Sequence, residues 1–133
     1  MRVRIFLVLF FLFFSFPGCF AQNQNKVLNP KEEDTLYLWD FGEVSAAAVL
    51  KHTFILRNNS PFKALNIKDI TVSCGCLLAQ VEKKIISSGG AVELQVKFDP
   101  KGYSGTVQQF VYVSTDNPDN PILKFTIKAK VVK

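Results

Sequence analysis

The chain has 133 residues, 48% of them hydrophobic, and a formal net charge of +5 at pH 7. That length supports one buried core and not two. The basic residues are spread along the chain, with no Lys/Arg block and no aromatic residues interleaved among them, which argues against a nucleic-acid-binding surface and for a solubility role of the charge.

The first segment differs from the rest. Arg2 and Arg4 give a positive start, Ile5 to Phe14 is an unbroken apolar run, and Ser15, Pro17 and Gly18 loosen the chain before a small-residue site. This order predicts a secretory signal peptide over residues 1–21, cut after Ala21. The apolar run falls short of the about 20 residues that a membrane-spanning helix needs. A second reading takes Phe16-Pro17-Gly18-Cys19 as similar to a bacterial lipobox, which would place a lipid on Cys19 and tether the protein to the outer membrane. Phe16 stands where Leu is usual and Phe20 suits a lipidated Cys poorly, so cleavage after Ala21 is preferred. On either reading the protein is exported to the periplasm or cell envelope, with a membrane link only through Cys19. Residues 22–34 are polar, with Asn29-Pro30 and the acidic group Glu32 to Asp34, and read as a flexible tether.

From Thr35 onward the apolar residues recur with period two. Leu36 to Phe41 opens the series. Leu50 to Asn58 follows, with Leu50, His52, Phe54 and Leu56 on one side. Leu65 to Val72 and the shorter Leu77 to Val81 come next. Val92, Leu94, Val96 and Phe98 then alternate with Glu93, Gln95 and Lys97. Val107 to Ser114 is apolar on both faces over part of its length, which marks a central strand. Leu123, Phe125, Ile127, Ala129 and Val131 alternate with Lys124, Thr126, Lys128 and Lys130. Successive side chains of a pleated strand face opposite ways, so each run has one buried and one wet side. Asn58 to Pro61, Ser87 to Gly90, Asp99 to Gly102 and Asp116 to Pro121 supply turn residues between the runs. About seven short strands at this spacing predict an all-β, immunoglobulin-like antiparallel β-sandwich over residues 35–133.

Cys74-Gly75-Cys76 is the one constellation with chemical promise. The pair could close a small disulfide ring, exchange disulfides with a partner, or bind a soft metal such as Cu(I). It could equally serve local structure. A disulfide needs Cα atoms about 4.4–6.8 Å apart, so the chain is expected to turn at Gly75. Two thiols alone do not complete a tetrahedral zinc site. With cleavage after Ala21 they are the only cysteines left, which leaves the core to hold by packing.

The remaining candidates have simpler readings. His52 is the sole histidine and reads as a packed strand residue. Asp40-Phe41-Gly42 copies a kinase magnesium motif without its companion motifs and reads as a strand end, with Gly42 allowing the turn. Trp39 fits either a core anchor or an exposed contact. Asp99, Asp116 and Asp119 lack the oxygen spacing of a calcium loop and suit turns. Asn58-Asn59-Ser60 matches a glycosylation acceptor, a tripeptide that arises easily by chance in a turn. No cofactor is expected.

Several segments together resemble a known family. These are Trp39 to Val44, His52-Thr53-Phe54 running into Arg57-Asn58-Asn59, Ile67 to Ile70 before Ser73 to Cys76, Val96 to Pro100, and Val113 to Pro118. In this order they are similar to the bacterial family called domain of unknown function 1573, over about Leu36 to Val131. The resemblance implies a Hydin-like immunoglobulin sandwich, more distantly akin to major sperm protein and pilus-chaperone sandwiches, common in exported proteins of Bacteroidetes-type bacteria. Its Cys-Gly-Cys pair maps onto Cys74 and Cys76. Leu77 departs from the usual Thr and makes the flank of the pair more apolar. The family implies no reaction. The expectation is a non-enzymatic binding or scaffolding domain of the cell envelope with a protein partner. Its rival is a thiol-dependent accessory protein that uses Cys74 and Cys76 for disulfide exchange or Cu(I) binding. A hydrolase has no nucleophile–base pair to support it.

Overall fold

Alternation of apolar and polar residues over residues 91–98 is the sequence pattern the fold obeys most closely: every even-numbered side chain from Val92 to Phe98 is buried and every odd one is exposed. This strand is the centre of the smaller of two sheets. The computed structural model describes residues 37–133, and the segments expected as signal peptide and tether, with Cys19, lie outside the described residues. The strands are β1 (Leu38–Ser45), β2 (Leu50–Arg57), β3 (Leu65–Val72), β4 (Leu77–Val81), β5 (Ile85–Ile86), β6 (Ala91–Phe98), β7 (Gly105–Thr115) and β8 (Ile122–Val132). One sheet has the order β1-β8-β7-β3-β5 and the other β2-β6-β4.

All pairs are antiparallel except β1 with β8. A parallel pair needs a long crossover, and here the rest of the domain supplies it. β7 lies between β8 and β3, the central place its two-sided apolar pattern predicts. On its outer face Phe110 lies under the Lys124 ammonium, 4.5 Å from the ring centre. The core between the sheets includes Leu56, Leu94, Phe98, Val111, Val113, Phe125 and Ile127, all nearly or wholly inaccessible. Phe125 sits between the rings of Tyr37 at 4.6 Å and Phe54 at 5.0 Å. Apolar burial of this kind supplies most of the drive to fold.

β1 extends further than the residue pattern implies. Gly42 does not end the strand. It adopts a left-handed φ of 70° and its N–H donates to the Asp40 carboxylate at 2.8 Å. The register with β8 shifts between Asp40 and Glu43, so Gly42 makes a bulge and pairing resumes at Glu43 to Ser45. Beyond the bulge Glu43 meets the Lys130 ammonium at 2.7 Å.

Candidate functional site

The cysteine pair sits in the turn from β3 to β4, which carries the chain from one sheet to the other. Ser73 fixes the exit from β3: its N–H donates to the Phe110 carbonyl at 2.9 Å and its Oγ accepts from the Phe110 N–H at 2.8 Å. The same hydroxyl donates to Gln109 Oε1 at 2.6 Å. On the far side, Asp99 N–H donates to the Cys76 carbonyl at 2.9 Å and begins the pairing of β4 with β6. Between these anchors Leu77 N–H donates to the Cys74 carbonyl at 3.3 Å, closing a four-residue turn. Cys74 and Cys76 are joined as a disulfide with Cα atoms 5.1 Å apart. Gly75 is not what allows this. Its φ is not left-handed and a Cβ there would meet nothing within 4 Å. Turns whose central residues keep negative φ accept ordinary side chains.

Both cysteines are half-buried against the core edge. Tyr103 is the neighbour that residue patterns did not single out. It ends the Asp99-Pro100-Lys101-Gly102 turn, where Lys101 N–H donates to the Asp99 carboxylate at 3.0 Å and Tyr103 N–H to the Pro100 carbonyl at 3.0 Å. So placed, the Tyr103 hydroxyl donates to Cys76 Sγ at 3.5 Å. As a staple the disulfide contributes little. Closing a loop of three residues removes chain entropy worth about 1.6 kcal/mol, against about 3 for a fifteen-residue loop.

Asp99 apart, whose N–H bonds the Cys76 carbonyl, the structure keeps the other candidates away from the thiol turn. His52 lies on β2 facing inward and stacks on Trp39, with ring centres 3.9 Å apart and planes at 11°. Phe54 and Phe41 meet it edge-on at 4.6 and 6.5 Å. Burial holds the His52 pKa below its ordinary value, which favours the neutral ring that stacks. Trp39 is both anchor and surface residue: 42% exposed, it closes the gap between β1 and β2. Asp116 takes the Asn66 side-chain amide at 2.5 Å and the Asn66 N–H at 2.9 Å, bonds that draw its pKa down. Asp119 N–H donates to Asn117 Oδ1 at 3.0 Å within the β7–β8 loop. Asn58 is not a surface acceptor for glycan. It is buried, and its Nδ2 faces the carbonyls of Lys63, Ile86 and Ser87 at 2.7, 3.0 and 3.2 Å.

A second feature lies on the backbone of β2. Its pairing with β6 runs through all eight residues without a shift. Asn58 N–H bonds the Gly90 carbonyl at 2.9 Å in the same register, so even-numbered residues of β2 bond β6. The alternation of an antiparallel ladder then turns the N–H and C=O groups of Lys51, Thr53, Ile55 and Arg57 to the opposite edge. Among the described residues no strand pairs with that edge. The side chains of these four residues lie on the exposed outer face, where Lys51 stands directly opposite Lys97.

A family model described as "Protein of unknown function (DUF1573)" matches residues 32–131. The chain belongs to that family. Among solved structures, the DUF1573 domain is similar to a protein of unknown function from Porphyromonas gingivalis, with a TM-score of 0.64 and 20% identity over 71% of this chain and 44% of that one. It is also similar to the ASH/PapD-like domain 7 of human CEP192, at TM-score 0.57 and 13% identity over 73% of this chain and 82% of that domain. The VesB protease of Vibrio cholerae contains a like region, at TM-score 0.56 and 13% identity over 72% of this chain and 30% of the protease. At such identities the likeness is one of fold. This chain thus spans less than half of the Porphyromonas protein. No curated protein matches the sequence.

Proposed function

We propose that this DUF1573 domain is an exported, non-enzymatic binding module of a bacterial cell envelope that takes an extended segment of a protein partner along the outer edge of β2. The supporting observation is the row of outward backbone groups at Lys51, Thr53, Ile55 and Arg57, on a strand that pairs regularly on its other side. Such an edge is a template for a further strand. Lys51, Arg57 and Lys97 on the adjoining face carry no acidic partner in any ion pair among the described residues, so an acidic segment complements it.

The test is capture from envelope extract by the immobilised mature domain and by an Ile55→Pro variant. Proline at an outward position removes a docking N–H without removing a bond to β6. A partner held by the unmodified domain and lost with the folded variant supports the reading, and equal capture by both counts against it. Export is tested by the intact mass of the chain from its native host, which distinguishes cleavage after Ala21 from a lipid on Cys19.

A second reading, thiol exchange at Cys74 and Cys76, is favoured by one observation: the half-buried disulfide is hydrogen-bonded by a phenol at one sulfur only among the side-chain bonds of the described residues.

A further inference from the structure

Tyr103 makes the two sulfurs of the Cys74–Cys76 bond inequivalent. Its hydroxyl donates to Cys76 Sγ at 3.5 Å, and its place is fixed by the turn that follows β6 and by the Phe98 ring at 6.3 Å. A disulfide sulfur is a weak acceptor, whereas a thiolate is a strong one, so this bond strengthens when Cys76 carries charge. The thiol with the lower pKa is the better leaving group in disulfide exchange. Cys76 also has its carbonyl committed to Asp99, which holds its backbone to β6 while the ring opens.

We infer that the Cys74–Cys76 disulfide is a polarised exchange site, at which a protein dithiol attacks Cys74 Sγ and Cys76 leaves as a thiolate held by Tyr103. This rests on the thiol-exchange reading. In the first step a partner thiolate forms a bond to Cys74 Sγ, the Cys74–Cys76 bond breaks, and its electron pair departs on Cys76. In the second step the other thiol of the partner, once deprotonated, attacks the partner's own sulfur in the mixed disulfide. Cys74 is released as a thiolate and takes up a proton. The partner ends as a disulfide, two electrons poorer, and the domain ends as a dithiol. The same steps run backwards when a partner disulfide meets the reduced pair.

The staple role predicts none of this asymmetry. It gains little from so short a loop, and it gives Tyr103 no reason to address one sulfur rather than both. A Cβ at Gly75 would meet nothing within 4 Å, so the turn is open at Gly75, and the two cysteines beside it are only half-buried.

The experiment uses the oxidised mature domain with glutathione as the thiol probe, followed by rapid acid quench, alkylation of the freed cysteine and peptide mapping. The expected result is glutathione on Cys74 in about tenfold excess over Cys76, an excess that Tyr103→Phe lowers to near parity. In the reduced domain, Cys76 is expected to alkylate at lower pH than Cys74, and Tyr103→Phe is expected to close the gap. Equal glutathione on the two cysteines of the unmodified domain, or an excess unchanged by Tyr103→Phe, overturns the polarity. Failure of glutathione to open the bond in the folded domain, while it opens it after unfolding in urea, overturns the exchange reading itself.

Discussion

Reduction of the Cys74–Cys76 bond is expected to leave the domain folded, and the size of the effect can be worked from the loop it closes. One residue separates the two cysteines. The chain-entropy relation for a loop of three residues gives about 1.6 kcal/mol, a modest part of the roughly 5–15 kcal/mol by which such domains are stable. Cys74 and Cys76 pack against the core edge, so reduction should cost little packing beyond the bond itself. With a urea slope of about 1.5 kcal/mol/M, the midpoint should fall by about 1 M. Fluorescence of Trp39, the only tryptophan, is a convenient probe because its ring is stacked on His52 at the edge of the core. Oxidised and phosphine-reduced protein are compared under otherwise identical conditions. A midpoint shift beyond about 2 M, or unfolding on reduction, would make the bond a structural staple that cannot open and close in the native domain. That result would refute both the estimate and the exchange reading built on it.

Further outcomes follow from the packing and the turns. Phe125→Ala removes a ring enclosed by Tyr37 and Phe54 and should cost about 3–5 kcal/mol in chemical denaturation. Asn58→Ala strips the donor from three carbonyls around a buried site and should cost about 1–3 kcal/mol, with no change in glycan content on expression in a glycosylating host. The folded-state pKa of His52 lies below its ordinary value of 6.5, so the unfolded chain takes up the proton first. The neutral stack therefore contributes stability above pH 6.5 that is lost as pH falls through the folded-state pKa, and His52→Gln should flatten that part of a urea-midpoint-against-pH profile. Gly42→Ala should cost about 1–2 kcal/mol for a left-handed backbone with a Cβ, whereas Gly75→Ala should stay within about 0.5 kcal/mol, both read by thermal melting.

The parts of the fold that sequence made legible are those where side-chain parity alone decides. In β6 and along most of β8 the apolar residues fall on the face that the second sheet covers, and the mixed pattern of β7 marks its central place. β5 escapes notice because two residues, Ile85 and Ile86, carry no periodicity. The reach of β1 is hidden by Gly42, since a glycine after a short strand reads as a stop when a bulge would use it equally well. Its parallel pairing with β8 joins the two ends of the domain, a contact that no local pattern encodes. At the thiol turn the pair itself was legible, but Tyr103 was not, because its approach to Cys76 depends on how the β6–β7 loop folds back. Asn58 sits in a tripeptide whose surface reading is correct for many turns. Here the nearby Lys63 carbonyl and those of the distant Ile86 and Ser87 converge on it, and burial overrides the local signal. The outward backbone row of β2 likewise requires the register with β6, which side-chain parity does not supply.

The account of β2 as a docking edge is tested most directly by amide hydrogen exchange on the captured complex, compared residue by residue with the unbound domain. Partner binding along that edge should slow exchange at Lys51, Thr53, Ile55 and Arg57, the amides turned away from β6, and leave the already bonded His52, Phe54 and Leu56 nearly unchanged. Protection confined to other surfaces, with these four amides exchanging as fast as before, would contradict it.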